Sequence, residues 1–384
     1  MNWPRRCVRI RVPATSANLG PGFDALGLAL ALHDEVEAEV TGSGLAVEVS
    51  GEGAEDAAAG ERHLVVRAMR VAFAATAGGQ PPGLALRCTN AIPQGRGLGS
   101  SAGAVVAGLL AARALAGAAR PEPSEGGAAP SDTPSPERSG PGAARSDTSS
   151  PERSGPGAAR SDTPSPERSG PGAALSGRGP GPLPDDALLA LATEFEGHAD
   201  NAAACLAGGL TVVWNPGTGP RAVRLDPLPA IVPVLCVPME SMPTTAARRA
   251  LPSTVPHADA AANAGRAALL VTALTQAPDL LLDATQDVLH QPYRAPLMPA
   301  TADLIGRLRE AGIAAVLSGA GPSVLALTVR GKTPGPAKVG SIASQAGRQW
   351  HVSPLDVDRQ GATIVSVPPG DRPPIGANAR TART

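Results

Sequence analysis

Residues 92–108 read IPQGRGLGSSAGAVVAG, a proline and alternating glycines followed by two serines and then small and apolar side chains. Gly95, Gly97 and Gly99 lack a Cβ, so the backbone there can take positive φ and turn its N–H groups toward a close ligand. Ser100 and Ser101 stand where a helix should begin, and Ala102, Val105, Val106, Leu109 and Leu110 continue at helical spacing. Such a helix aims the positive end of its dipole at the contents of the loop, which suits an anion and above all a phosphate chain. A Walker loop needs GxxxxGKS or GxxxxGKT, and no lysine follows these glycines. A GxGxxA dinucleotide fingerprint fits Gly97, Gly99 and Ala102. It also needs a second parallel strand ending in an acid roughly 20 residues on, where this chain instead enters a Pro/Gly tract. On its residues the stretch is either a phosphate cradle or a glycine-rich turn ahead of a buried helix.

The 384-residue chain is 42% hydrophobic and carries a formal net charge of −1, enough for a sizeable core in two domains and no footprint for nucleic acid. Aromatic residues make up only 2%, so the core is built from Val, Leu, Ala and Ile, and base stacking is disfavoured. Cys7, Cys88, Cys205 and Cys236 are scattered and form no CxxC pair. That argues against a zinc site or a disulfide framework and suits a reducing compartment. The first 20 residues hold no apolar core of signal-peptide length, and no segment is long and apolar enough to span a membrane. The expectation is a soluble, cytoplasmic protein.

Residues 7–12 alternate apolar and charged side chains as a half-buried strand does, then enter PATSANLGPGFD at 13–24. This loop carries Thr15, Ser16, Asn18 and Asp24, which either meet a ligand or satisfy local turn backbone. Strands are expected at 26–32, 34–40, 45–50 and 84–89, with a helix over 62–77. Strands cluster before helices, an α+β arrangement rather than a βαβ array. Further on, 185–196 reads as a helix with acids in its first turn. In the GHADN segment at 197–201, Asp200 reads as an N-cap and His198 as a satisfied surface residue. Strands follow at 211–214, 222–225 and 231–237, then a helix capped by Thr244 or Thr245, helices at 257–276, 278–289 and 300–311, and a second glycine turn, SGAGPS at 318–323. A strand at 324–329, a helix at 336–348 and strands at 351–357 and 362–367 are expected to complete a second α+β domain.

Between 118 and 184 the composition changes. SDTPSPERSGPGAAR at 131–145 recurs at 146–160 and 161–175 with single substitutions. Rich in Pro, Gly and Ser and lacking an apolar face, this tandem repeat reads as a disordered surface insertion rather than a solenoid. A partner-binding tract is the alternative.

With these pieces in place the chain resembles the homoserine kinases among the GHMP small-molecule kinases, a family named for galactokinase, homoserine kinase, mevalonate kinase and phosphomevalonate kinase. The resemblance is carried in order by PATSANLGPGFD at 13–24, PQGRGLGSSAG at 93–103 and SGAGPS at 318–323, with EGHADN at 196–201, TTAAR at 244–248 and HQPYR at 290–294. It implies a two-domain GHMP kinase fold: an N-terminal domain over 1–117 and 185–225, the insertion at 118–184, a C-terminal domain over 226–370 and a flexible tail at 371–384. It further implies ATP as co-substrate, its phosphates on the loop formed by Pro93, Gly95, Arg96, Gly97, Leu98, Gly99, Ser100, Ser101, Ala102 and Gly103, and Mg²⁺ held by Ser101 and Glu196. One hydroxyl and one carboxylate beside phosphate oxygens is a donor set Mg²⁺ accepts.

By the same resemblance L-homoserine is the acceptor, in threonine biosynthesis. Arg248 and Arg294 are forks for its carboxylate and Asp24 is the counter-charge for its ammonium. Asn18, His198, Asn201 and Thr244 line the pocket, and Asn18, Asn201, Glu196 and Ser101 are the catalytic set. Homoserine kinases carry Asn201 where some GHMP kinases place an aspartate paired with lysine, and are described as lacking a general base; here Asp24 or His198 could take the proton. Self-association as a homodimer stays open. A GHMP kinase for another alcohol, or a kinase-derived scaffold whose repeats bind a partner, are the competing readings. Gly103 replaces the family's usual alanine and weakens the first helical turn slightly.

Deleting residues 122–179 and joining the ends with a short Gly/Ser linker should leave the melting temperature and kinase activity within a few fold of wild type. Closure entropy grows only logarithmically with loop length, so the change amounts to about 1 kcal/mol. Loss of activity in the deletion, or amide protection of the repeats on ATP binding, contradicts an inert tract.

Overall fold

In the computed structural model the described residues are 3, 6–76, 79–117, 183–367 and 375. Apart from Leu183 and Pro184, the expected insertion lies outside them, as does the expected tail apart from residue 375.

The alternating opening residues form β1 (Cys7–Ala17), antiparallel to β2 (Leu26–Thr41). A register shift between Pro13 and Ala14 changes the faces. Val8, Ile10 and Val12 point into one core and Ala14 into another; across the pair, Val36, Ala38 and Val40 serve the first core and Leu28 and Leu30 the second. A bulge offsets the two-residue period, so one long bent strand serves two cores. The two strands expected at 26–32 and 34–40 are therefore one. β3 (Gly44–Gly51) and β4 (Gly83–Asn90) follow, with α1 (Leu64–Ala74) between them. They pair in parallel, a single crossover unit in a sheet otherwise antiparallel, where the sequence pattern suggested none.

The glycine loop leads into α2 (Ser100–Ala116), with Gly99 as N-cap at φ 69°. This helix is apolar nearly all round because it is buried nearly all round: α1 packs on it so closely that a Cβ at Gly108 would meet the Val65 carbonyl at 2.5 Å. Beyond the gap, α3 (Asp185–Glu196), α4 (Asp200–Ala207), β5 (Leu210–Trp214) and β6 (Arg221–Leu225) complete this half. The second half comprises β7 (Ile231–Pro238), α5 (Thr244–Arg249), α6 (His257–Thr275), α7 (Leu281–Ala284), α8 (Gln291–Arg294) and α9 (Pro299–Glu310). It continues through β8 (Ala314–Leu317), β9 (Val324–Val329), α10 (Pro336–Ser344) and β10 (Trp350–Pro354), before β11 (Thr363–Val367).

Two sheets result, one ordered β11-β1-β2-β4-β3 with β5 and β6 branching from β2, the other β10-β7-β9-β8. The first packs helices α1 to α4 on one face, while its other core is shared with the second sheet, α6 and α7; α9 and α10 cover the second sheet's far side. β11, expected to complete the second domain, instead pairs antiparallel with β1. The expected helix at 278–289 is a 3₁₀ turn at Pro278–Leu280 followed by the single turn of α7. Pro243 rather than Thr244 or Thr245 caps α5, and Thr244 is its first residue. No helix among the described residues is long and apolar enough to cross a membrane.

Three glycine turns meet where the halves join. At Gly97, φ is +74° and a Cβ would lie 2.1 Å from the Ser318 carbonyl. Gly97→Ala should therefore cost more than the about 1–2 kcal/mol of a left-handed alanine, lowering the melting temperature by several degrees and weakening ATP binding together. Wild-type melting and ATP affinity in this variant would show that the turns are not in contact.

Candidate active site

A cleft of about 660 Å³ opens over the glycine loop and is bounded by both halves. Its floor is Pro93, Gly95, Gly97, Leu98, Gly99, Ser100 and Ser101. The loop is pinned from below by Asp34, whose carboxylate accepts the N–H groups of Ala91 (2.7 Å) and Ile92 (2.8 Å). Burial outweighs those bonds and holds the Asp34 pKa above its ordinary value. No side chain caps the N-terminus of α2, so its first-turn N–H groups and dipole face the cleft. Ala102 and Gly103 are buried in that turn and do not line the cleft. Arg96 points away from it: its guanidinium donates to the carbonyls of Pro238 (3.1 Å), Gln94 (3.2 Å) and Met239 (2.7 Å), bracing the loop against β7 rather than reaching a ligand.

Ser101 Oγ donates to Glu196 Oε1 at 2.6 Å, bringing together a hydroxyl at the start of α2 and a carboxylate at the end of α3. Among the described residues no group of three or more His, Cys, Asp or Glu side chains forms a metal cage. Two hard oxygens beside an anion cradle fit a cation that takes its remaining ligands from phosphate and water.

The 13–24 loop folds over the cleft with Asn18, Leu19 and Asp24 at positive φ (68°, 51° and 54°), strained positions held by specific bonds. Asn18 Oδ1 accepts from Asp24 N (3.0 Å), and its Nδ2 donates to the Gly319 carbonyl (2.8 Å). Both ends of this carboxamide are thus engaged within the protein, although the residue lines the cleft. Asp24 receives both arms of Arg248, at 2.8 and 3.1 Å. Arg294 is 2% exposed, yet it also lines the cleft. Both guanidiniums lie over Phe23, at 5.9 and 5.7 Å from the ring centre.

Opposite them, His198 is no surface residue and Asp200 is no N-cap. Asp200 is 1% exposed and is the first residue of α4; its Oδ1 accepts from His198 Nδ1 (2.5 Å) and Asn201 N (2.7 Å). Burial disfavours charge on His198, but the bond to Asp200 and its charge outweigh it and raise the imidazole pKa. Asn201 Oδ1 accepts from Thr15 Oγ (2.8 Å), so the carboxamide acts onward as a donor through Nδ2. Thr244 and Thr245 complete the rim.

Asp200, Phe23, Thr245 and Thr15 were given no place among the site residues from sequence, Asp200 and Thr245 being read as helix caps. All four lie inside the quoted motifs, but only the tertiary contacts show what they hold. A second cavity of about 360 Å³ shares Gly95, Ser100 and Ser101 with the cleft and continues past Asn90, Gln94, Arg62 and Ala104. It has no sequence signature, being assembled from β1, β2, β4, α1, α2 and the segments that join them.

A mixed two-sheet fold with a glycine loop at a buried helix, a hydroxyl–carboxylate pair and a basic acceptor side defines a small-molecule kinase. The chain matches the families described as GHMP kinases N terminal domain (residues 63–124) and GHMP kinases C terminal (residues 261–351). Homoserine kinase of Streptomyces avermitilis is 46% identical over 93% of this chain and 95% of its own length; that of Clavibacter michiganensis is 41% identical over 96% and 97%. The crystal structure of homoserine kinase from Cytophaga hutchinsonii, 22% identical, superposes with a TM-score of 0.66 over 95% of this chain and 99% of that one, a likeness of fold. The chain belongs to the homoserine kinase family of the GHMP kinases.

Proposed function

We propose that the protein transfers the γ-phosphoryl group of ATP to the γ-hydroxyl of L-homoserine, giving O-phospho-L-homoserine and ADP, in the threonine branch of amino-acid biosynthesis and in the cytoplasm. The observation that carries this reading is the opposition, across one cleft, of an uncapped helix N-terminus and a surface bearing Asp24, Arg248 and Arg294. An amino acid carries a cation and an anion that such a surface can meet separately, whereas an uncharged alcohol would leave the Arg294 guanidinium unused. Family membership points the same way.

In this reading the loop N–H groups and the α2 dipole hold the phosphates, and the nucleoside extends into the adjoining cavity past Gln94 and Asn90. Mg²⁺, held by Ser101 and Glu196, would neutralise phosphate charge. Arg294 receives the substrate carboxylate and Asp24 the ammonium, while Arg248 steadies Asp24. Asn201, oriented by Thr15, donates toward the acceptor hydroxyl or the transferring group. Positioning and charge neutralisation supply most of the acceleration in phosphoryl transfer, so no dedicated base is required.

The direct test is ADP release by purified protein with Mg-ATP and homoserine, mevalonate or shikimate; turnover of either of the others in preference to homoserine rejects the reading. Ser101→Ala and Glu196→Gln should each lower kcat by roughly two orders of magnitude and shift the Mg²⁺ dependence to higher concentration. Unchanged Mg²⁺ titrations in both variants would remove this pair from the metal site.

Arg294→Leu should raise KM for homoserine by about 30-fold or more with ATP binding near normal. Because Asp24 and Arg248 are paired, the cost of Asp24→Asn and Arg248→Leu together should fall short of the sum of the single costs. Additive losses in that cycle would show that the pair does not act as a unit.

A further inference from the structure

Arg294 and Arg248 approach the same cleft but are held differently. Arg248 makes a two-armed ion pair with Asp24. Arg294 donates to the carbonyls of Ala247 (3.2 Å) and Gly319 (3.3 Å) and to His290 Nδ1 (3.1 Å), with no carboxylate in ion-pair contact among the described residues. We propose that His290 is a positioning residue that holds Arg294 through a neutral ring, leaving the guanidinium charge uncompensated for the substrate carboxylate. This rests on the homoserine kinase reading above.

The donor and acceptor identities define the ring. A carbonyl can only accept and a guanidinium can only donate. His290 Nε2 lies 2.9 Å from the Gly20 carbonyl and 3.5 Å from Asp287 Oδ2, both acceptors, so Nε2 carries the proton. Nδ1 faces a guanidinium N–H, so it must present its lone pair. Only the neutral Nε2–H tautomer satisfies both sides. The ring is 0% exposed and stacks at 5.3 Å on Phe23; burial pushes its pKa below the ordinary value, consistent with a neutral imidazole. Asp287, the nearest carboxylate, is occupied by the backbone N–H groups of Leu289, His290 and Gln291, which orient the start of α8.

A carboxylate in place of the ring would grip Arg294 more strongly, but it would also neutralise the charge and compete with the substrate for the same fork. A neutral acceptor fixes direction without cancelling charge. Burial, then the nearby Arg248, push the Arg294 pKa below that of an ordinary arginine, and the charges of Asp24, Asp287 and Asp200, none in ion-pair contact with it, do not offset them. Through Gly20 the same ring ties Arg294 to the loop that presents Asp24, so the carboxylate and ammonium subsites are set relative to each other.

The test compares homoserine with 3-amino-1-propanol, which is homoserine without its carboxylate, in wild type, His290→Gln and His290→Asn. The Asn carboxamide oxygen falls near the position of Nδ1 and keeps an acceptor for Arg294, whereas Gln reaches toward Nε2 and does not. In His290→Gln the preference for homoserine over the amino alcohol, read as the ratio of kcat/KM values, should fall about tenfold, mainly through KM for homoserine and with KM for ATP unchanged. His290→Asn should retain most of the preference. Nitrogen NMR of histidine-labelled wild-type protein should show His290 as the Nε2–H tautomer. A wild-type ratio in both variants, parallel rises in the KM values for ATP and homoserine, or an Nδ1–H ring would overturn the proposal while leaving the kinase assignment intact. Absence of homoserine turnover in wild type would overturn that assignment and the proposal with it.

Discussion

Everything in the cleft depends on three turns lying backbone to backbone. Ser318 Oγ donates to the Gly97 carbonyl at 2.7 Å and shares a hydrogen bond with Ser16 Oγ at 2.9 Å, while Gly319 N donates to the Ala17 carbonyl at 3.2 Å. One hydroxyl thus touches the glycine-loop turn and the 13–24 turn from a third turn, 221 residues from Gly97 and 302 from Ser16. Contact this close leaves no room for a Cβ at Gly97, and Thr15 Oγ would meet one at Gly99 at 1.9 Å. The glycines are needed for their positive φ and equally for the missing atom. Because the turns come from both halves, a change at their junction moves the glycine-loop floor and the opposite wall of the cleft together.

Around that junction the polar groups divide into those that hold shape and those that offer charge. Asn18, Thr15, Asp34 and Arg96 spend their hydrogen bonds inside the protein, fixing loops and one carboxamide. Arg294, Ser101 and Glu196 keep capacity toward the cleft. The two arginines illustrate the division: Arg248 is paired with Asp24 and aims its carboxylate, while Arg294 sits among neutral acceptors with its charge unspent. Had both been paired with acids, the site would lack attraction for an incoming anion; had both been bare, two neighbouring like charges would repel.

Local pattern accounts for much of this architecture. The 3.6-residue period at 100–116 and 185–196 and the two-residue period at 7–12 produced elements close to those expected, because helix and strand faces are set by neighbours within a few residues. The ordered motifs identified the family, and they also hold the glycine loop, Ser101, Glu196 and the arginines that the fold brings to one cleft. Where the pattern failed, long-range packing overrode it. The 278–289 segment has helical composition but breaks after α7, where Thr285 is fully buried and Asp287 turns its carboxylate to cap the chain ahead of α8. β11 leaves its apparent domain because β1 offers it an edge.

By itself the sequence determined the class of fold, the glycine loop before a helix and the types of group available to a small-molecule kinase site, since each of these is written in local spacing or in contiguous motifs. Only the tertiary structure decided how those groups are used. Arg96 became a brace, Asp200 a buried anchor and His290 a neutral holder for Arg294, because a side chain's role depends on which donors and acceptors meet it, and here those lie tens to hundreds of residues away. Hydrogen-bond complementarity across three distant turns has no period and no motif, so it could be read only once the chain was folded.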